Sequence, residues 1–262
     1  MRKLSSFDLG LALCGGLVLL FVIAPLAGMV LHTSPAALRE TVADGEVLRS
    51  IRLTLLASVA GTAAFAIIAV PFAWVLARRQ FWGKGLLLGI IDLPVVIPHS
   101  TAGIALLCVL SRDSMVGRVA ERLGFSFIGH PVGIAIAMAF VSLPFLIGAA
   151  REGFGAVPVR LEKTALTLGA SPLRVFFTVS LPLARRSILS GLVMMFARGL
   201  SEFGAVIIVA YHPMVAPILI YERFTAFGLA TARGAAVVFL AVSLVVFVAL
   251  RLLAGRGRHV DD

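Results

Sequence analysis

The sequence predicts an all-α, polytopic membrane bundle of about six transmembrane helices. The first observation is compositional: 60% of the 262 residues are hydrophobic, 14% are charged, and the mean hydropathy is +1.05. No water-soluble domain has that balance. The second is that the apolar residues fall into runs of roughly 20, the length a helix needs to cross about 30 Å of hydrocarbon. The third is that Lys and Arg concentrate in the short segments between runs. Helices are expected because they satisfy their own backbone hydrogen bonds, which hydrocarbon demands.

The first run, residues 8–31, follows Arg2 and Lys3 and so has the flank of a signal peptide. It is too long for a signal core, and Pro25-Leu26-Ala27-Gly28 makes no small-residue cleavage site, so a retained helix is expected. The second, residues 48–76, exceeds what a span requires and implies tilt or a start in water. The third, residues 86–110, contains Leu93-Pro94-Val95-Val96-Ile97-Pro98. Pro94 and Pro98 each remove a backbone donor, so this helix is expected to bend or break, forming a gate where irregular backbone lines a cavity. Asp92 and His99 flank the prolines and are expected at the interface, with pathway lining as the alternative. In the same run Gly85 and Gly89 have the spacing of close helix packing at a dimer seam.

The fourth run, residues 132–150, is uninterrupted. The fifth, residues 188–210, carries Arg198, Ser201 and Glu202, with Arg198 and Glu202 placed i and i+4 on one helix near mid-bilayer. Ionisable groups at that depth face a bundle interior or an aqueous cavity. One reading makes Arg198 an aid to anion passage with Glu202 as its gate partner; the other makes them an ion pair that fixes packing. The sixth run is residues 235–253.

If the spans alternate, 14 of the 23 cationic residues fall on one side and 8 on the other, with Arg198 inside a span. The richer side is expected to be cytoplasmic, with both termini inside, in the cell membrane. A net charge of +10 on short loops, without an aromatic-studded basic face, excludes nucleic acid as the partner. Cys14 and Cys108 sit within apolar runs and are expected as packing residues, and His32, His130, His212 and His259 lack metal spacing. No repeat or linker divides the chain. The expected organisation is a first helix and outer loop (1–47), a five-helix domain (48–253) and a tail (254–262).

The outer loops, residues 32–47, 111–131 and 211–234, are sized to meet an extracytoplasmic partner. The inner segment, residues 151–187, is patterned. Leu161, Ala165 and Leu168 share one helical face, and Gly169 is placed to cap that helix. Ser171-Pro172 has the chemistry of a helix start, and Leu173, Phe176 and Phe177 begin a second stripe closed by Leu181-Pro182. The hairpin is too short to stand alone and too polar to cross lipid. It docks on another protein or lies at the interface as a connector.

Glu162-Lys163-Thr164-Ala165, Gly169, and Val179-Ser180-Leu181-Pro182 after nine intervening residues resemble the EAA loop of ABC-importer permeases. The second half fits in register. In the first, Lys163 stands where the family glutamate is usual, and Glu162 lies one place early. The resemblance implies the type I ABC-importer permease fold and coupling helices, built from Glu162, Lys163, Ala165, Gly169, Ala170, Ser171, Leu181 and Pro182, that sit in a groove of an ATPase subunit. It implies a complex of two copies of this chain, an ATPase dimer and an external oxyanion-binding protein. The chain has no G-x-x-x-x-G-K-[ST] phosphate loop, so ATP and Mg²⁺ belong to the ATPase, with no cofactor and no catalytic residue here.

Residues 197–205, Ala-Arg-Gly-Leu-Ser-Glu-Phe-Gly-Ala, are similar to the fifth-helix signature of molybdate-type permeases, and Tyr211-His212-Pro213-Met214 and Tyr221-Glu222-Arg223-Phe224 resemble the tungstate/molybdate branch. That implies a pathway for tungstate or molybdate, with Arg198, Ser201, Glu202, Pro94 and Pro98 as candidate pathway and gate residues. The alternatives are a permease for sulfate or another oxyanion, or a secondary transporter, which predicts inverted repeats and no docking loop. An intramembrane enzyme would need H-E-x-x-H or paired aspartates at depth, and neither is present.

Overall fold

The computed structural model describes residues 6–255, so Arg2, Lys3 and the tail from Arg256 onward, with Arg258 and His259, lie outside the described residues. In chain order the helices are α1 (Ser6–Leu31), α2 (Pro35–Ala43), α3 (Gly45–Arg78), α4 (Lys84–Val96), α5 (His99–Leu110), α6 (Met115–Arg122) and α7 (Pro131–Ala156). They continue with α8 (Val159–Thr167), α9 (Pro172–Val175), a π turn (Phe176–Ser180), α10 (Leu181–Leu200), α11 (Gly204–Val209), α12 (Ala216–Phe227) and α13 (Leu229–Gly255). Among the described residues, five helices are long and apolar enough to cross a membrane, and six spans result if α4 and α5 count as one.

Two expected spans are not straight. The run expected over residues 86–110 breaks between α4 and α5, whose axes bend by 111°. Pro98 forces the break: the residue before a proline is pushed out of the helical region, and Ile97 accordingly sits at φ −74°, ψ 149°. Pro94, by contrast, is absorbed inside α4. The run expected over residues 188–210 starts earlier and ends earlier. A continuous helix runs from Pro172 to Leu200, then stops at Ser201 before the short α11. Leu181-Pro182 therefore does not close a separate hairpin helix. The π turn before it widens the backbone, with the Leu181 N–H reaching Phe176 O five residues back, and this accommodates a proline that has no N–H to give.

The core has one cluster around Ile134, Met138 and Val206, where α7 meets α3, α5 and α11, and another around Leu76, Leu146, Phe154 and Met195, where α3, α7 and α10 pack. Gly61 allows the approach of α3 to α7: a Cβ there would stand 2.6 Å from Ala135 O. Polar groups buried between these helices are satisfied across the gap, with Ser58 Oγ donating to Phe196 O at 2.8 Å and Thr54 Oγ1 accepting from Ala216 N at 2.8 Å. A third cluster joins Val47 and Ile51 of α3 to α12 and α13.

The spanning stretch of α1 buries nothing against the chain, and Cys14 on α1 and Cys108 on α5 are exposed rather than packed. The reason is that lipid accepts the same residue types as a core, so apolar composition does not separate the two in this protein. Likewise, among the described residues, nothing lies within 4 Å of a Cβ placed at Gly85 or Gly89. The outer loops are structured. Ser34 and Ser114 cap α2 and α6 through their hydroxyls. Arg223 of α12 ties to Asp44 and Glu46 at the start of α3, and the pairing with Arg223 is the main reason the Asp44 carboxyl titrates below its ordinary range.

Candidate functional site

The patterned inner segment is a helix, a turn and a helix, as its sequence predicts. The turn at Gly169 is a Schellman motif: Ala170 N–H bonds Ala165 O at 3.1 Å, and Gly169 N–H bonds Leu166 O at 3.0 Å. Gly169 takes φ +89°, a conformation costly for any residue with a Cβ. Ser171 then caps α9, its Oγ accepting the Arg174 N–H at 3.3 Å.

The structure decides which way α8 faces. Leu161 and Leu168, which share a helical face with Ala165, are 41% and 83% exposed, and the buried residue is Glu162, at 6%. Glu162 is drawn inward by donors from two other elements. Arg78, in the last turn of α3, holds the carboxylate with Nε at 3.0 and 2.9 Å and Nη2 at 2.9 Å, and the same guanidinium donates to Val157 O at 3.0 Å. Ser180 Oγ donates at 2.6 Å and Trp74 Nε1 at 3.3 Å. Burial by itself raises the pKa of Glu162, but the hydrogen bonds from Arg78, Ser180 and Trp74 outweigh it, and the group titrates below the usual glutamate range.

The consequence is a loop with two faces. Inward, Glu162 clamps α8 to α3 and to the π turn. Outward, Lys163 is exposed, and Leu166, Leu168 and Leu173 stand uncovered around the Gly169 turn. Ala165 and Ala170 are half-buried, Ser171 and Pro182 exposed, and Leu181 half-buried. The exposed apolar knuckle thus stands beside a fixed anchor.

The second constellation lies where the two broken helices meet. Arg198 and Glu202 do pair, Nη2 to Oε2 at 3.1 Å, but Glu202 stands in the break after α10 rather than on the helix with Arg198. Its Oε1 accepts the Ala205 N–H at 2.8 Å. His99, expected at the interface, belongs to the same cluster: its ring nitrogens lie 2.8 and 3.0 Å from Arg198 Nη2, and Nδ1 lies 3.0 Å from Glu202 Oε2. Gly204 permits this, since a Cβ there would meet His99 Cβ at 2.7 Å. Ser201 receives Arg198 Nη1 at 3.2 Å. Pro98 sits next to the cluster as the cap of α5, while the buried Pro94 lines an apolar cleft between α3, α4 and α7, separate from it.

Sequence reasoning missed Arg78, Trp74 and Ser180, whose pairing with Glu162 spans up to 88 residues of sequence and leaves no local mark. His99 did leave one: a titratable residue directly after a helix-breaking proline.

Known proteins share sequence and fold with this chain. The family described as binding-protein-dependent transport system inner membrane component matches residues 69–259. The molybdate/tungstate transport system permease protein WtpB of Pyrococcus abyssi is 41% identical over 251 residues, covering 94% of this chain and 95% of that protein. The sulfate transport system permease protein CysT of Salmonella typhimurium is 31% identical over 267 residues, 99% of this chain and 96% of that protein. Among solved structures, a bacterial ABC transporter involved in import of the acidic polysaccharide alginate superposes with a TM-score of 0.73 at 17% identity, over 95% of this chain and 96% of its own.

Proposed function

The chain belongs to the binding-protein-dependent transport system inner membrane components, as a multi-pass permease subunit of an ABC importer, and from that premise we propose that it passes tungstate and molybdate inward as one of a pair of identical subunits. ATP and Mg²⁺ are handled by a separate ATPase dimer, and cargo arrives on an extracytoplasmic oxyanion-binding protein. Both termini lie in the cytoplasm. The observation that carries the reading is the α8–α9 knuckle: Leu166, Leu168 and Leu173 uncovered around Gly169, with Glu162 locking the same helix to the bundle. A partner that pushes on the knuckle moves α3 and α10 with it, which is what coupling to an ATPase requires.

Cargo follows from the identity to the molybdate/tungstate permease over nearly the whole chain, together with the cationic Arg198 at a helix break. The lower but equally extended identity to a sulfate permease favours a second reading, sulfate by the same mechanism. Proteoliposomes carrying the chain, its ATPase and its binding protein, offered tungstate, molybdate and sulfate in turn, distinguish them. ATP-dependent uptake of the first two with little sulfate uptake is expected. Equal stimulation by sulfate overturns the cargo, and uptake without ATP overturns the class.

A further inference from the structure

The charged cluster at the two helix breaks is ordered by depth. The Glu202 side chain is 0% exposed, Arg198 23% and His99 35%, and Ser201 is exposed. His99 lies against both neighbours, its Nδ1 3.0 Å from Glu202 Oε2 and its Nε2 2.8 Å from Arg198 Nη2. The cluster sets the Arg198 guanidinium against the Glu202 carboxylate, 3.1 Å away, and the two charges offset each other. Its outward side is nonetheless one-sided in chemistry. Arg198 N–H groups and the Ser201 hydroxyl stand in front, and the carboxylate stands behind, its Oε1 bonded to Ala205 N–H. A pair serving only to fix packing has no reason to be sorted this way.

The position of this face limits what lies opposite it. Arg198 is about 18 Å along the helix from Arg186 at 1.5 Å per residue, roughly halfway across the hydrocarbon. A partly exposed guanidinium and imidazole at that depth are not left against lipid, so the face opens on a water-filled path. His99 is also the first residue of the 12-residue α5, whose N-terminal partial positive charge falls at the same point.

We propose that Arg198, Ser201 and His99 form a station at which a tetrahedral oxyanion dianion pauses during translocation, with Glu202 as a built-in counter-charge. The proposal rests on the permease reading above. A tetrahedral oxyanion brings acceptors only, which suits a face of donors. An arginine alone in a low-dielectric path would hold a dianion too tightly to release it, and conduction needs sites that both fill and empty. Glu202 sets that balance by sharing Arg198 without occupying the front of the site. It also explains why an anion path contains a fully buried carboxylate.

The test is equilibrium binding of labelled molybdate to the purified permease–ATPase complex without binding protein, run beside ATP-driven uptake in the complete proteoliposome system. Glu202→Gln removes the counter-charge and is expected to bind molybdate about tenfold more tightly while importing it more slowly. The double variant Arg198→Gln/Glu202→Gln is expected to lose about tenfold or more of both binding and uptake, the worth of one charge-assisted hydrogen bond. A purely structural pair predicts otherwise: Glu202→Gln impaired in uptake with no gain in binding, and the double variant restored because no unpaired charge remains buried. Wild-type uptake by the double variant, or unchanged affinity in Glu202→Gln, overturns the station. Where Glu202 variants fail to assemble, Arg198→Lys against Arg198→Gln decides: a tenfold gap in binding at equal assembly upholds it, and no gap overturns it. Absence of ATP-driven uptake in the wild type sinks the permease reading instead, and the binding arm still judges the station.

Discussion

Substituting Glu162 should separate ATP hydrolysis from transport. Its carboxylate takes three contacts from Arg78 at 2.9–3.0 Å and one from Ser180 at 2.6 Å, with side-chain exposures of 10% for Arg78 and 8% for Glu162. Removing one member of a buried pair leaves the other charge uncompensated, at about 3–5 kcal/mol. Glu162→Ala therefore costs about 3 kcal/mol at the lower bound, since Arg78 keeps its bond to Val157 O. Glu162→Gln retains one acceptor oxygen and costs about 2 kcal/mol. With the clamp gone, α8 still docks the ATPase through its exposed leucines but no longer drags α3. The assay is a double-mutant cycle of Glu162→Gln and Arg78→Gln, read both as stability of the solubilised chain and as anion imported per ATP hydrolysed. ATPase activity should persist while the import ratio falls severalfold. A pairwise coupling below about 0.5 kcal/mol, or an unchanged import ratio in Glu162→Gln, refutes the clamp.

Acidification should release the same clamp. Glu162 has a folded-state pKa depressed below 4.5, so its contribution is full above the unfolded value and disappears as pH falls through the folded one; stability of Glu162→Gln should be flatter than wild type below about pH 4.5. The sign is the same for Asp44, depressed from 3.8 by Arg223, and Asp44→Asn should lose about 1 kcal/mol near neutral pH and little in acid, measured by thermal melts across pH. At Gly169, Ala should cost about 1 kcal/mol through its positive φ alone, because no neighbour lies within 4 Å of a Cβ there. Gly169→Trp should additionally abolish co-purification of the ATPase, and unchanged co-purification would show that no partner approaches the turn. Gly61→Val should destabilise by about 2 kcal/mol or more, since even a Cβ stands 2.6 Å from Ala135 O; a melt like that of wild type would mean α3 and α7 do not pack as described.

Much of this architecture is legible from local rules. Apolar runs near 20 residues mark spans whatever surrounds them, because hydrocarbon thickness is a property of the bilayer. Ile97-Pro98 marks a break because a proline constrains the residue before it. Gly169 and Ser171 mark a helix end and a helix start because caps are chosen by backbone geometry. What is not legible depends on distant neighbours. The spacing of Leu161 and Leu168 marks an apolar stripe without saying what it faces, and Arg78, Trp74 and Ser180 turn the helix so that Glu162 is inside. Cys14 and Cys108 read as core because lipid and core favour the same side chains.

By itself the sequence determined that the chain lives in a bilayer, roughly where it crosses, and which polar segment turns at Gly169, since each follows from solvent partition or from the few residues of one cap. Tertiary structure alone decided which face of that segment looks outward and which groups share the break in the bundle. Glu162 and Arg78 lie 84 residues apart and Arg198 and His99 lie 99 apart. Charges so distant in sequence become one site only when packed helices bring them together, out of reach of water that would otherwise screen them.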